Sequence, residues 1–383
     1  MRPEAHLLLH ASRARITSEH SATLREITAR VRDWEWVRRT ADWHAVIPLL
    51  HRQLQAAAPP QLPPLTADAL RAAADESSLR SFVLARHLAT VVAALEERGV
   101  PVIPLKGPVL ALAVYGDLAL RRFGDLDILV PRERVPDARD ALRALGYSTA
   151  TRFSSDAERA LARSDYHVRY ALPGAGVKVE LHWSLTREVA GTHVSERWAW
   201  ANSRELDLLG RTVTALRDEA LLVYLCIHGS KHGWGRLAWI CDVAELLRGA
   251  GATMKWDVVA ELARECGARR MVPLGLALAR ELLDAPVPAD AARLLPETAR
   301  VRALVAEVRA RLFDDAWDGE SGLLGFQLRT RERLHHRAAY LLHLLTAPHV
   351  ADVESVPLPA ALRPLYRVVR PVRLLSKRLR VKR

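Results

Sequence analysis

The sequence predicts an α+β protein in which a small mixed β-sheet core is flanked by N-terminal helices and by a C-terminal helical domain. Two patterns predict this fold class. In the first half of the chain, short runs of alternating apolar and polar residues, typical of strands, are interleaved with helical segments. On either side of them, apolar residues recur at helical spacing. We therefore expect an N-terminal helical region at 1–75, a core at 76–200, a C-terminal helical domain at 201–350 and a basic tail at 351–383.

The elements before the core are predicted to be helices. Residues 20–55 carry tryptophan, leucine and valine at helical intervals, and the prolines of 56–66 mark a connector. A further apolar stripe is followed by Gly99, which is suited to ending a helix because glycine readily adopts the left-handed conformation. The residues of this stripe are Leu84, Leu88, Val91, Val92 and Leu95.

The core is predicted to alternate strands and helices, and Pro108 suits the first turn of one of these helices. The expected elements are a strand at 100–107, a helix at 108–116, a strand at 125–130, a helix at 133–145 ended by Gly146, and a hairpin at 166–183. After about residue 200 nearly every segment has a helical pattern. The clearest are 218–248, 256–267, 270–283, 299–313 and 330–345.

Charge and composition narrow the possible settings of the protein. Residues 363–383 contain nine Lys or Arg and no acid, so only +3 of the net charge of +12 belongs to the rest of the chain. This basic tail is predicted either to contact RNA or an anionic surface or to be a solvated terminus. Because the three cysteines lack metal-binding spacing and no apolar run reaches roughly 18 residues, we expect a cytoplasmic protein with no transmembrane segment.

A lysine–glycine pair is the first candidate for chemistry. Lys106 and Gly107 end a predicted strand and open a predicted helix. Free backbone N–H groups and the helix dipole attract phosphate at such a place, and a glycine lets the phosphate approach the backbone. The pair is therefore a candidate phosphate-binding turn.

Carboxylates on two predicted strands are the second candidate. Asp125 and Asp127 alternate in RRFGDLDILV, so their side chains share one face, and such a pair is usually kept where a metal ion lies between. Glu180 in VKVELHW shares a face with His182 and is the preferred third carboxylate, with Asp165 as the alternative. Three carboxylates can hold two Mg²⁺ or Mn²⁺ ions about 3.5–4 Å apart for in-line displacement at phosphorus.

These segments resemble the nucleotidyltransferases of the DNA polymerase β superfamily. The signature of that superfamily is a Gly-Gly or Gly-Ser turn, an Asp-x-Asp on the next strand, and a third carboxylate. Three stretches are more closely similar to a bacterial nucleotidyltransferase branch that is sometimes found beside peptide natural-product gene clusters. They are LKGPVLALAVYGDLALRRFGDLDILV, VELHWSL and HGSKHGWGRLAWICDVAELL, within about residues 34–247.

The resemblance implies a polymerase β-like fold and transfer of a nucleoside monophosphate from an NTP, usually ATP, with release of pyrophosphate. It implies Mg²⁺, or Mn²⁺, as the cofactor. Gly107 matches the glycine of the phosphate turn. Asp125 and Asp127 match the metal-bridging pair, and Glu180 matches the third carboxylate.

The chain departs from the superfamily pattern at the phosphate turn. Pro108 stands where a serine or glycine is usual, and the stretch between the turn and the aspartates is longer than typical. The proline removes a hydroxyl that would hold a phosphate. Lys106, or Arg121 and Arg122 just before the acids, would then supply the missing contact.

Other motifs of enzymes are absent from the sequence. His228 and His232 are four apart in HGSKH, a spacing that suits zinc on a helix, but Gly229 stands where a metalloprotease needs glutamate. The sequence contains no Gly-x-x-x-x-Gly-Lys-Ser/Thr loop, no Gly-x-Gly-x-x-Gly and no Gly-x-Ser-x-Gly. A metalloprotease, a P-loop kinase, a dinucleotide oxidoreductase and a serine hydrolase are therefore disfavoured.

The same HGSKH segment leaves two interpretations open. Lys231, His232 and Asp242 are candidates to face the nucleotide or the acceptor. Alternatively, the segment is a structural helical hairpin whose turn is packed by Trp234 and Trp239.

The sequence thus predicts a Mg²⁺-dependent nucleotidyltransferase that acts on an unidentified small molecule, peptide or RNA, with peptide natural-product biosynthesis as one setting. Two alternatives remain. A catalytically degenerate NTP-binding or scaffold protein is motivated by Pro108. A toxin-like enzyme that modifies tRNA is motivated by the basic tail.

Overall fold

The computed structural model describes residues 1–149, 166–186, 192–317 and 322–347, four single residues, and 365–381. The single residues are 352, 356, 358 and 362, and side chains are described as far as residue 373. Asp165, the alternative third carboxylate, lies outside the described residues.

The described strands form one mixed sheet and one separate hairpin. The strands are β1 (Ile103–Pro104), β2 (Leu126–Leu129), β3 (Ser148–Thr149), β4 (His167–Leu172), β5 (Val177–His182), β6 (Ser203–Leu208) and β7 (Arg211–Leu216). The mixed sheet has the order β1-β2-β5-β4-β3. Its pair β2 and β5 is parallel and the other pairs are antiparallel. The predicted small mixed sheet is confirmed.

Helices precede and follow the strands of this sheet along the chain. Those described are Pro3–Ala11, Ser18–Thr28, Trp34–Trp43, Ile47–Ala57, Pro64–Glu96, Val135–Ala144, Glu196–Ala201, Asp218–Lys231, Leu237–Ala250, Trp256–Glu265, Met271–Leu283, Ala289–Leu294, Ala299–Arg311, Leu323–Thr330, Leu334–Thr346 and Tyr366–Val381. A short helix, Pro108–Leu110, continues as a π-helix over Ala111–Tyr115. The predicted α+β class is therefore confirmed.

Two glycines end helices as the sequence predicts. Gly99 has a φ of +63° and Gly146 a φ of +85°. After each glycine, the backbone folds back onto the last helical turn, with Val100 N–H donating to Leu95 and Tyr147 N–H donating to Leu142. This is the Schellman arrangement, in which the carbonyls at a helix end are satisfied by the turn that follows.

The expectation that nearly everything after residue 200 is helical is wrong for residues 203–216. There β6 and β7 pair as an antiparallel hairpin. Leu209 and Gly210 form its two-residue turn with φ of 55° and 81°. Such a turn usually begins with Asn or Asp, so the leucine at its start hid the hairpin from sequence reasoning. The alternation in RTVTAL, which buries Val213 and Ala215, was the available signal.

One long helix, Pro64–Glu96, joins the N-terminal helices to the sheet. Its second half packs against the sheet in one apolar cluster that includes Leu88, Ile128 and Leu181. The predicted boundary between residues 75 and 76 falls inside this helix. By length and composition alone this helix could cross a membrane. That is weak evidence, because core helices of soluble proteins share these features, and 39% of its apolar stretch is buried in the protein.

The beginning of the basic tail packs against helix Leu334–Thr346, where Arg370 Nε donates to the carbonyl of Leu344 over 2.7 Å, which differs from a solvated terminus. Tyr366 is buried, and its hydroxyl donates to the carbonyl of Val356. Arg370 and Arg373 both pair with Asp352, whose side chain is completely buried. Residues up to Arg373 therefore contribute packing and charge balance, as well as positive charge.

The ring of Trp234 fits into a slot between Gly229 and Gly275, beside the HGSKH segment that resembles a zinc motif. Trp234 is fully buried. A Cβ at Gly229 would lie 2.5 Å from the Trp234 ring, and one at Gly275 would lie 3.1 Å from it. Glycine at 229 is therefore needed for close approach of the indole, which supports the structural interpretation of the HGSKH segment for this residue.

We expect Gly229→Ala to destabilise the protein by about 1–3 kcal/mol, because the added methyl overlaps a buried ring that has no free space to enter. The matched control is Gly249→Ala, where a Cβ would meet nothing within 4 Å. That variant should be neutral or more stable by up to about 1 kcal/mol. Urea unfolding measures both, and equal effects of the two substitutions would contradict the slot.

Candidate active site

The register of the parallel pair brings the predicted carboxylates together. Asp127 on β2 is paired with Glu180 on β5, and Leu129 is paired with His182. Because paired residues of neighbouring strands point to the same side, Asp127 and Glu180 share one face, and Asp125 and His182 follow at intervals of two. The other face carries buried leucine, isoleucine and valine.

Cations are interleaved with these acids. Lys106 Nζ lies 3.0 Å from Asp127 Oδ2. His182 Nε2 lies 3.1 Å from Asp127 Oδ1 and 3.6 Å from Glu180 Oε2. Arg169, the partner of Glu180 on β4, forms an ion pair with it. Buried Asp127 and half-buried Glu180 are thus held by a network of positive and polar groups.

The pKa values on this face move in opposite directions. Burial, reinforced by the charge of Asp127, raises the pKa of Asp125. Burial opposes ionisation of Asp127, but Lys106 and the hydrogen bond with His182 hold the pKa of Asp127 well below its usual value. Against burial, His182 and Arg169 lower the pKa of Glu180 to about 2. Asp125 is therefore the acid whose negative charge is least compensated.

The lysine–glycine turn stands at the edge of this face. Gly107 has a φ of +60° and a ψ of −128°, a conformation that a residue with a side chain rarely adopts. Leu105 N–H donates to the carbonyl of Asp127 over 3.0 Å, so the turn follows directly from β1 where β1 lies beside the strand that carries the acids. Against burial, the charge of Asp127 raises the pKa of Lys106, which keeps its ammonium protonated.

All nine site residues predicted from the sequence line one cleft of about 550 Å³. They are Lys106, Gly107, Arg121, Arg122, Asp125, Asp127, Glu180, Lys231 and His232. They come from the sheet, from the turn after β1, from the segment before β2 and from helix Asp218–Lys231 with the turn after it. The fold therefore brings together residues that are far apart in the chain.

The two neighbouring arginines have different surroundings. Arg121 donates to both carboxylate oxygens of Asp242 over 2.8 and 2.9 Å, and Tyr115 O–H donates to the same carboxylate over 2.8 Å. Arg122 pairs with Asp42 at the surface, with the two side chains 43% and 54% exposed. A phosphate can replace the exposed partner of Arg122 more easily than the buried partner of Arg121.

The helical side of the cleft carries histidines and one tryptophan. The ring of His232 lies, tilted, 4.7 Å from that of His228 and 5.1 Å from that of Trp239, measured between ring centres. Burial, with the charge of Lys231, lowers the pKa of His232 to about 3, and burial lowers the pKa of His228 well below its usual value, so both imidazoles are neutral at pH 7. Asp242, proposed from the sequence to face the cleft, is instead buried against Arg121.

Sequence reasoning did not select His182, Arg169 or Tyr166 as site residues, although all three line the cleft. The alternation that places His182 on the face of Glu180 was an available signal for the histidine. Arg169 could be found only from the strand register, because its contact with Glu180 crosses from β4 to β5.

The site also defines candidate metal ligands. Single oxygen or nitrogen atoms of Asp127, Glu180 and His182 lie within 4.8 Å of one another and could hold a metal ion. Asp125 adds a fourth donor on the same face. An Asp-x-Asp pair, a third carboxylate and a lysine–glycine turn thus lie together, as the resemblance to nucleotidyltransferases predicts.

A comparison of the chain with known protein families indicates the same class of enzyme. Over residues 30–284, about two thirds of its length, the chain matches the family described as uncharacterised nucleotidyltransferase. The chain belongs to this family, and the protein is therefore a nucleotidyltransferase. The prediction of this class from the sequence is confirmed.

No curated protein matches the chain. Among solved structures, the chain is similar to the solution structure of the antibiotic-resistance factor ANT(2'')-Ia. The TM-score is 0.36 and the sequence identity is 16%, over 48% of this chain and 91% of that one. Similarity at this level carries no information about the acceptor.

We expect Asp242→Asn to destabilise the protein by about 3–5 kcal/mol, because it leaves Arg121 buried without its charge partner. The matched control is Asp42→Asn, which removes the exposed partner of the adjacent Arg122 and should cost less than about 1 kcal/mol. Chemical unfolding measures both variants. A small effect of Asp242→Asn would show that Arg121 does not depend on this carboxylate.

Proposed function

We propose that the protein transfers a nucleoside monophosphate from an NTP, with ATP as the first candidate, to an acceptor, using Mg²⁺ or Mn²⁺. The observation that carries this proposal is the pairing of Asp127 with Glu180 across β2 and β5, with Asp125 two residues away in the same cleft. Three carboxylates beside a lysine–glycine turn provide for metal ions and for a triphosphate.

The donor atoms of these carboxylates and of His182 suit divalent metal ions. Carboxylate oxygens are the ligands that Mg²⁺ and Mn²⁺ prefer, and the adjoining imidazole of His182 favours Mn²⁺ over Mg²⁺ if it joins them. The raised pKa of Asp125 supports the fit, since it reflects buried negative charge that a cation would compensate. When bound, such ions neutralise the triphosphate and stabilise charge on the departing pyrophosphate.

The side chains of the chain itself would position the nucleotide. Lys106 remains protonated beside the acids and can pair with a phosphate oxygen at the turn. Arg122 can exchange its exposed pair with Asp42 for a second phosphate contact. Trp239 and the neutral ring of His232 offer stacking surfaces on the helical side for the base.

Pro108 does not prevent the turn from forming. It occupies the first helical position after Gly107, where its missing N–H costs no hydrogen bond. The scaffold alternative, which this proline motivated, predicts NTP binding without turnover. A peptide acceptor from natural-product biosynthesis, or a tRNA, would be compatible with the same chemistry, and the genes beside this one would distinguish those settings.

We expect Asp125→Asn to reduce transfer from ATP labelled at the α-phosphate by at least about 100-fold while leaving the fold intact. The reason is that the substitution removes a metal ligand and also relieves repulsion with Asp127. Label on the acceptor or on the protein, and pyrophosphate release, are measured with Mg²⁺ and with Mn²⁺ across a broad acceptor panel.

The matched control for this experiment is Glu205→Gln, which changes an exposed acid on β6 and should keep full activity. ATP binding by the wild type without labelling or pyrophosphate release, across the whole panel, would favour the scaffold alternative. Full activity of Asp125→Asn would contradict the assignment of the carboxylates.

We propose that residues 374–383, with five Lys or Arg and no acid, contact RNA. Truncation after Arg373 removes these charges but keeps the pairs of Arg370 and Arg373 with buried Asp352. RNA binding should weaken, and the slope of log affinity against log salt should fall by about 0.7 for each phosphate that the tail neutralises. Filter binding at several salt concentrations measures this, and an unchanged slope would remove the tail from RNA recognition.

A further inference from the structure

A second pocket of about 270 Å³ lies next to the catalytic cleft. The two share Tyr166, Thr186, Ile227 and Lys231 as lining residues. The far walls of the second pocket come from helices Met271–Leu283, Leu323–Thr330 and Leu334–Thr346. A molecule in this pocket would therefore touch the same side chains as a nucleotide in the cleft.

The pocket contains a buried cation, Arg331, that has no charge partner among the described residues. Arg331 is only 7% exposed, and its pKa is lowered by burial. Its guanidinium donates to the backbone carbonyl and the side-chain oxygen of Gln327 and lies 3.5 Å from the centre of the Tyr340 ring. All of these partners are neutral. In the part of the chain that the structure describes, no carboxylate forms an ion pair with Arg331.

Other arginines with little exposure do have acidic partners. Arg311 pairs with Glu307, Arg121 with buried Asp242, and Arg370 with buried Asp352. A buried positive charge is costly unless an anion or several hydrogen bonds compensate it. Arg331 Nε, moreover, has no hydrogen-bond partner among the described residues. The guanidinium thus keeps donor capacity and uncompensated charge in a pocket.

A second cation stands where the pocket meets the cleft. Lys231 Nζ contacts the hydroxyl of Tyr166 and lies 5.1 Å from the centre of its ring. Within the described ranges it, too, has no ion pair with a carboxylate. The remaining lining is largely apolar, with Ile227, Met271 and Leu344. The pocket therefore combines positive charge with an apolar wall.

We propose that this pocket is the acceptor site, and that it binds a small acceptor carrying a carboxylate or phosphate group on an apolar body through Arg331 and Lys231. The proposal rests on the proposed nucleotidyl transfer, because it takes the adjoining cleft as the nucleotide site. The anionic group of the acceptor would pair with Arg331, and its nucleophilic group would extend past Tyr166 towards the cleft.

Binding of simple probes to the full chain tests the acceptor site without requiring turnover. The probes are hexanoate, hexyl phosphate and, as the uncharged comparison, hexanol, each titrated by NMR or calorimetry. We expect the wild type to bind at least one of the two anions saturably and at least about 10-fold more tightly than hexanol, as one additional charged hydrogen bond would provide. The relative affinities of the two anions decide between carboxylate and phosphate.

Two variants locate the binding. Arg331→Gln and Lys231→Gln should each weaken anion binding by at least about 10-fold and leave hexanol binding unchanged. Arg331 also follows helix Leu323–Thr330 and donates to Gln327, so Arg331→Lys serves as a second variant that keeps the charge and should retain part of the affinity. Thermal unfolding shows that each variant is folded.

The outcomes for this proposal are separable from those for nucleotidyl transfer. Asp125→Asn should lose transfer yet bind the anion as the wild type does, because it lies outside the pocket. No saturable binding of either anion to the wild type, or equal binding by wild type and both glutamine variants, would overturn the acceptor site. If the wild type binds the anion but shows no transfer activity, only the proposed function is overturned.

Discussion

The parallel pairing of β2 with β5 is the constraint on which the site depends. It sets Asp127 beside Glu180 on one face, and Ile128 beside Leu181 on the other. Side chains alternate with a period of two, so a slip of one residue would turn Glu180 into the apolar core. The burial of the leucine and isoleucine face therefore holds the carboxylates in place.

Once three acids share a face, their charges have to be balanced. Lys106 and His182 balance Asp127, and Arg169 balances Glu180. Asp125 has the least compensation, so burial and the charge of Asp127 raise its pKa. The same principle applies outside the cleft, where Asp242 and Asp352 are each buried with arginines. Arg331, by contrast, is buried without an acidic partner among the described residues, which is why we propose that it binds an anionic ligand.

The helices complete the cleft. The slot for Trp234, between Gly229 and Gly275, fixes the turn after helix Asp218–Lys231. This turn carries His232, and the last residue of that helix, Lys231, lies where the cleft meets the second pocket. The HGSKH segment, which resembles a zinc motif in sequence, thus has two roles. Its Gly229 makes room for the Trp234 ring, and its Lys231 and His232 line the cleft.

The sequence by itself determined the strand of Asp127, with Asp125 just before it, and the helix ends at Gly99 and Gly146, because periodicity and glycine conformation act locally. Its resemblance to a known family determined the nucleotidyltransferase class. Only the tertiary structure decided that Arg121 pairs with buried Asp242, that Arg169 meets Glu180, and that residues 203–216 form a hairpin. Those outcomes depend on register and on contacts between residues distant in the chain, where side-chain pairing overrides local pattern.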